Sequence, residues 1–204
     1  MNSSDLSTAG TVLFPFLRCL AHDMAAPLTS TLGYAQLNLQ SPGSPAELEE
    51  DLRQIEQSAL SLRSQLGRLS RLSRYVPAET VSAAGDLLRD LESLCASLAL
   101  SAGRQLEWAQ QESFNDEQLK GNPWLLRVTC LAFLGSLCHR PDSRVVVARK
   151  GTDIAVSFPP LDSTDEETAP DRWGCLRIGE RLAAQQTLQL EKDETWSLLL
   201  PICT

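Results

Sequence analysis

Two apolar repeats separated by a short turn constrain this chain more than any other feature. In the first, Phe16, Leu20, Met24, Leu28 and Leu32 recur every four residues, and Leu13, Leu17, Ala35 and Leu39 widen the stripe. That spacing predicts one helix over residues 11–40. Pro27 falls inside it. It removes one backbone hydrogen bond and should bend the helix rather than end it, because the periodicity continues beyond. Ser41-Pro42-Gly43 marks a turn. In the second repeat, Leu48, Leu52, Ile55, Ala59, Leu62, Leu66 and Leu69 alternate steps of four and three, a coiled-coil pattern. Ser44 is a good N-cap, Pro45 suits the first helical position, and Glu47 completes a capping box. Glu47, Glu49, Glu50 and Asp51 lie in the first turns, and Arg68, Arg71 and Arg74 in the last, both favoured by the helix dipole. Pro77 ends the pattern.

Two long helices joined this way form an antiparallel hairpin. A lone hairpin cannot cover both of its apolar stripes. A second copy would complete a four-helix bundle, so a homodimer is expected.

Beyond Pro77 the pattern changes. Residues 80–101 read as a helix stopped by Gly103, and 105–109 as a short strand. Gly121-Asn122-Pro123 introduces an apolar helix, about Trp124–His139. Val145–Val147 and Ile154–Phe158 read as strands around the turn at Gly151-Thr152-Asp153, and Pro159–Pro170 as an acidic, polar loop. Residues 174–185 read as a helix, with Leu188–Leu190 and Trp196–Leu200 as a final hairpin. The expected fold class is α+β: a helical hairpin over 1–76 forming a dimeric bundle, then an α/β sandwich over 77–204.

The 204 residues carry 18 basic and 26 acidic side chains, a net charge of −8. A net acidic chain is a poor nucleic-acid binder, and no polybasic segment suits an anionic membrane. No run of about 18 apolar residues would span a bilayer. Met1–Gly10 has no basic residue and does not read as a signal peptide. The six cysteines are far apart, with no CxxC, and read as buried, reduced thiols of a cytoplasmic protein. The four tryptophans read as core residues. Asp165-Glu166-Glu167 reads as a solvated loop rather than a metal site.

The chain has two histidines. His139 ends an apolar helix next to Arg140 and reads as a helix-end or surface residue. His22 lies roughly opposite the middle of the Leu20–Leu32 stripe, so it should face outward, beside Asp23 and before Pro27. An exposed imidazole is either a nucleophile or a solvated surface group, and spacing alone does not choose.

The string His22-Asp23-Met24-Ala25-Ala26-Pro27-Leu28, with Gly33 and Tyr34 further on, resembles the phosphoacceptor box of bacterial sensor histidine kinases. The resemblance implies a dimerisation and histidine-phosphotransfer domain. In it His22 accepts the phosphoryl group, and Asp23 orients the ring and helps proton transfer. Ala25 and Ala26 stand where the family usually has a basic residue and a Thr or Asn, which puts phosphatase activity in doubt. The second region resembles the kinases' ATP-binding domain in layout. Ala132 and Ser136 stand where that family has asparagines, the latter at the magnesium-coordinating position. Pro159–Thr164 replaces an Asp-x-Gly-x-Gly loop, and Trp173 and Cys175 replace two phosphate-loop glycines. Three losses together imply that ATP is not bound productively. The combination resembles the degenerate dimeric histidine phosphotransferases of bacterial phosphorelays.

Three readings of function follow. The first is a phosphotransferase that passes a phosphoryl group between response-regulator receiver domains through His22. The receiver supplies Mg²⁺ and docks near Ala25, Ala26 and Thr29, so no cofactor is expected on this chain. The second is an inactive adaptor or inhibitor that docks a regulator or a sensor kinase. The third is a divergent, active kinase.

Overall fold

The computed structural model describes residues 3–41, 43–74, 81–138, 140, 143–160, 170–186 and 188–203. Helix α1 spans Ser3–Gln40 and α2 Pro45–Ser73. After them come β1 (Val81–Ala83), α3 (Ala84–Ser101), β2 (Leu106–Gln110), β3 (Gln118–Lys120) and α4 (Pro123–Leu137). The chain continues through β4 (Ser143–Lys150), β5 (Asp153–Phe158), α5 (Pro170–Gln185), β6 (Gln189–Lys192) and β7 (Trp196–Pro201). The fold class is α+β, as expected.

Contacts divide the chain into two compact units. Leu17–Ser73 is one; Met1–Phe16 together with Arg74–Thr204 is the other. The helix expected from residue 11 thus begins earlier, and its first turns belong to the larger unit. Pro15 and Pro27 both lie inside α1 without ending it.

The hairpin starts its second helix as the sequence predicts. The Ser44 N–H donates to the Glu47 carboxylate at 2.7 Å, and the Glu47 N–H donates to Ser44 Oγ at 3.4 Å. This reciprocal pair pulls the Glu47 carboxyl below its ordinary range, chiefly through the Ser44 backbone donor. Asn38 Nδ2 donates to Asp51 Oδ2 at 2.8 Å and Gln65 Nε2 to the Asp23 carbonyl at 3.3 Å. These pairs are fifteen residues apart on α1 and fourteen on α2, an unslipped antiparallel register. Within this unit only Leu20 and Leu72 are buried among the described residues. Leu28, Leu32, Leu39, Leu48, Leu52 and Leu66 are exposed.

In the larger unit, a five-stranded sheet has the order β2-β4-β5-β7-β6. β2 and β4 are parallel and the other pairs antiparallel. Helix α4 packs between α3 and α5, and its Phe133 stacks on Phe158 of β5 with ring centroids 5.9 Å apart. Asn122 caps α4, accepting from the N–H groups of Trp124 and Leu125 at 3.1 Å each, with Pro123 following. Gly103, at φ +67°, turns the chain out of α3 as the sequence suggests.

Two glycines sit in helices for space rather than for backbone freedom. A Cβ on Gly135 of α4 would lie 3.2 Å from Cζ of Phe16, and one on Gly179 of α5 would lie 3.1 Å from Cβ of Ala132. Each costs about 0.5–1 kcal/mol of helix propensity relative to Ala, offset by the close approach. Ala9, Val12, Leu13 and Phe16 of α1 are buried and belong to this unit.

Several sequence expectations need correction. Residues 81–83, expected to be helical, form β1, which pairs antiparallel with β3, a strand the periodicity did not announce. Three-residue strands hold too few side chains to show alternation. Cys95, Cys130 and Cys138 are buried, but Cys19 is half-buried and Cys203, whose N–H donates to the Gln118 carbonyl of β3, is exposed. Trp124 is buried, whereas Trp108 and Trp196 are partly exposed. Pro77, His139 and Asp165–Glu167 lie outside the described residues.

Candidate functional site

His22 sits in the middle of α1, where the helix is held against α2 at the neighbouring residue. The His22 side chain is 89% exposed. Its Nδ1 lies 3.7 Å from Oδ1 of Asp23, whose side chain is 41% exposed. That separation is an ion-pair distance and too long for a hydrogen bond. The imidazole therefore presents Nε2 away from the carboxylate, toward solvent. Its accessibility has a plain cause. The buried residues of α1, Ala9, Val12, Leu13, Phe16 and Leu20, cluster on one side, and position 22 falls opposite them at 100° per residue.

Ala25, Ala26 and Thr29 are exposed and follow His22 at helix spacings of three, four and seven. The Thr29 hydroxyl donates to the Ala25 carbonyl at 2.8 Å, so it lies back on the helix. The surface beyond His22 is thus low, with two methyl groups and a folded-back threonine. The structure brings all five sequence-predicted residues into one stretch of about two turns. Pro27 lies at its middle, and Thr31 Oγ1 donates to the Pro27 carbonyl at 2.9 Å.

Sequence reasoning missed Gln65. Its signal was indirect: a proline inside a helix leaves the carbonyl four residues back without its donor, so a donor on the facing helix is called for.

In the other unit, Ala132 is fully buried and meets α5 at Gly179. The backbone at Trp173 and Cys175 is part of helix α5 rather than an open loop. Gln186 Nε2 donates to Thr129 Oγ1 at 2.6 Å and to the Leu125 carbonyl at 3.3 Å, fastening the end of α5 to α4. Cys95, Cys130 and Cys138 are buried thiols of this unit. Burial pushes Cys130 up to about 12, and a hydrogen bond with Cys138 together with burial raises Cys95. No described helix is long and apolar enough to cross a membrane.

Residues 16–76 match the His Kinase A (phospho-acceptor) domain family, less than half of the chain. No curated protein matches it. Among solved structures, ShkA full-length in complex with AMPPNP is 18% identical with a TM-score of 0.46; the match covers 92% of this chain and 46% of ShkA. The Acinetobacter baumannii histidine kinase AdeS is 10% identical, TM-score 0.42, covering 90% of this chain and 98% of AdeS. A bacterial phosphotransferase is 13% identical, TM-score 0.42, covering 98% and 97%. Over residues 16–76 the chain is histidine-kinase-like.

Proposed function

We propose that this chain is a phosphorelay histidine phosphotransferase of the ChpT type, with His22 as the phosphoryl acceptor. The observation that carries this reading is the fully accessible imidazole on a hairpin matching a phospho-acceptor family. It stands beside a second unit whose asparagine position is a buried alanine. Nε2 of His22 attacks the phosphorus of a receiver domain's aspartyl phosphate. The N–P bond forms as the acyl P–O bond breaks, and the electron pair returns to the receiver carboxylate. Asp23 lies on the Nδ1 side. A proton kept on Nδ1 leaves the lone pair on Nε2, and the carboxylate stabilises the charge that develops on the ring. Mg²⁺ resides on the receiver. The small surface at Ala25, Ala26 and Thr29 leaves room for the receiver to approach. The reverse step, to a second receiver, uses the same geometry. ATP is not a substrate, because neither a magnesium-binding amide nor a phosphate loop stands at the family positions.

The exposed apolar residues of the hairpin support a homodimer. Leu52, Ala59 and Leu66 repeat at heptad spacing on α2, and Leu28, Leu32 and Leu39 form the matching stripe on α1. We also place the dividing line between hairpin and C-terminal region near residue 76, and the protein in the cytoplasm.

The test is transfer from purified, phosphorylated receiver domains. His22 should take up a label that is acid-labile and base-stable, as a phosphoramidate is. His22→Ala should abolish it and leave the dimer intact. Calorimetry should detect no ATP binding below millimolar concentration. Equal partner binding by wild type and His22→Ala, with no label on either, would replace this reading with the adaptor. Tight ATP binding would revive the kinase.

A further inference from the structure

A proline inside a helix removes a donor from one particular place. The N–H of residue 27 would have bonded the carbonyl of residue 23, and the pyrrolidine ring crowds that same carbonyl. The acceptor left over is therefore the backbone oxygen of Asp23, next to His22. Gln65, 42 residues away on α2, donates its Nε2 to that oxygen at 3.3 Å. The other atom of its amide, Oε1, is buried with no hydrogen-bond partner. A buried acceptor left unsatisfied is costly, so the amide is held in this orientation for the bond it donates.

We propose that Gln65 is a positioning residue for phosphoryl transfer at His22, its side-chain amide replacing from α2 the hydrogen bond that Pro27 removes from α1. The purpose of the positioning rests on the phosphoacceptor reading above. Gln65 touches no reacting atom. It fixes the direction of the Asp23 carbonyl, and so the peptide units that carry the His22 imidazole and the Asp23 carboxylate. Without it the stretch from 23 to 27 loosens, and the imidazole samples more directions. In-line attack on phosphorus depends on that direction.

The experiment is a cycle in the full-length chain, using Gln65→Leu, Pro27→Ala and the double variant, with dimer mass and helicity as controls. Gln65→Met serves if the leucine variant does not fold. Transfer from a phosphorylated receiver to His22 is followed at rising receiver concentration. Gln65→Leu should slow the saturated rate about tenfold and change half-saturation less than about twofold. In the Pro27→Ala background residue 27 regains its N–H, and Gln65→Leu should then change the rate by less than about twofold. Amide hydrogen exchange over residues 23–31 should follow the same pattern. An equal effect of Gln65→Leu in both backgrounds, or labelling as fast as wild type, overturns the inference while the acceptor reading stands. A wild type that takes up no label overturns the acceptor reading itself, and with it any role of Gln65 in transfer.

Discussion

Leu87, Leu91, Leu126 and Leu131, on α3 and α4, are fully buried, while Leu32, Leu52 and Leu66 on the hairpin are 53%, 54% and 51% exposed. The residue type and the helical setting are the same; the neighbours differ. The larger unit closes its core with a sheet on one side of α4, α5 on another and the first turns of α1 over Gly135. Within the hairpin only Leu20 and Leu72 are buried among the described residues. Charges follow the same division. In the larger unit Arg127 Nε meets Asp90 Oδ2 at 3.1 Å with both side chains almost fully buried. On α2, Arg53 meets Glu50 at 3.2 Å with both exposed. One region is a finished core; the other leaves leucines of its apolar stripes exposed.

This contrast can be broken most directly at the exposed stripe. Leu52→Asp with Leu66→Asp should place unpaired charge in the seam between two copies. Association should weaken at least about a thousandfold, or ~4 kcal/mol, read by sedimentation or light scattering. Wild-type Tm should rise with protein concentration, because association stabilises the hairpin. A wild type that is monomeric at micromolar concentration would mean that the stripe is not an interface between copies.

The charge pairs sharpen the contrast next. Asp90→Asn leaves the Arg127 guanidinium buried without its counter-ion and should cost about 3–5 kcal/mol in chemical denaturation. Asp90→Leu with Arg127→Met should recover most of that loss. Arg53→Ala, on the exposed pair, should leave the denaturation midpoint unchanged. A large effect at Arg53, or none at Asp90, would reverse the assignment of finished core and open hairpin.

The smallest effect lies in the capping box. The folded chain holds Glu47 below its ordinary value of 4.5 because its carboxylate accepts from Ser44. A lowered pKa means stability present above about pH 4.5 and lost as pH falls through the folded value. Amide protection factors at the start of α2, which divide out the intrinsic pH dependence of exchange, should therefore fall in acid in the wild type. In Glu47→Gln they should not change with pH over that window.

The sequence by itself determined what is encoded within a few residues. The capping box at Ser44 and Glu47, the Asn122-Pro123 start of α4 and the Gly103 stop are satisfied by backbone groups one turn away, so they can be read locally. The outward exposure of His22 was equally legible, since helix spacing alone put the imidazole opposite the apolar stripe. Tertiary structure decided whatever depends on which distant residues meet. The three-residue strands β1 and β3 form by pairing with each other, and Leu119 of β3 also bridges Ile202, far along the chain. Gly135 reads as a weak helix residue until Phe16 lies against it, and Arg127 as a surface charge until Asp90 is found 37 residues away. Gln65 is polar inside a coiled-coil repeat. Only the packing of α2 on α1 brings its amide to the one carbonyl that Pro27 leaves without a donor. Local backbone chemistry is written in neighbours along the chain, whereas close approach and the satisfaction of buried groups are written in neighbours across space.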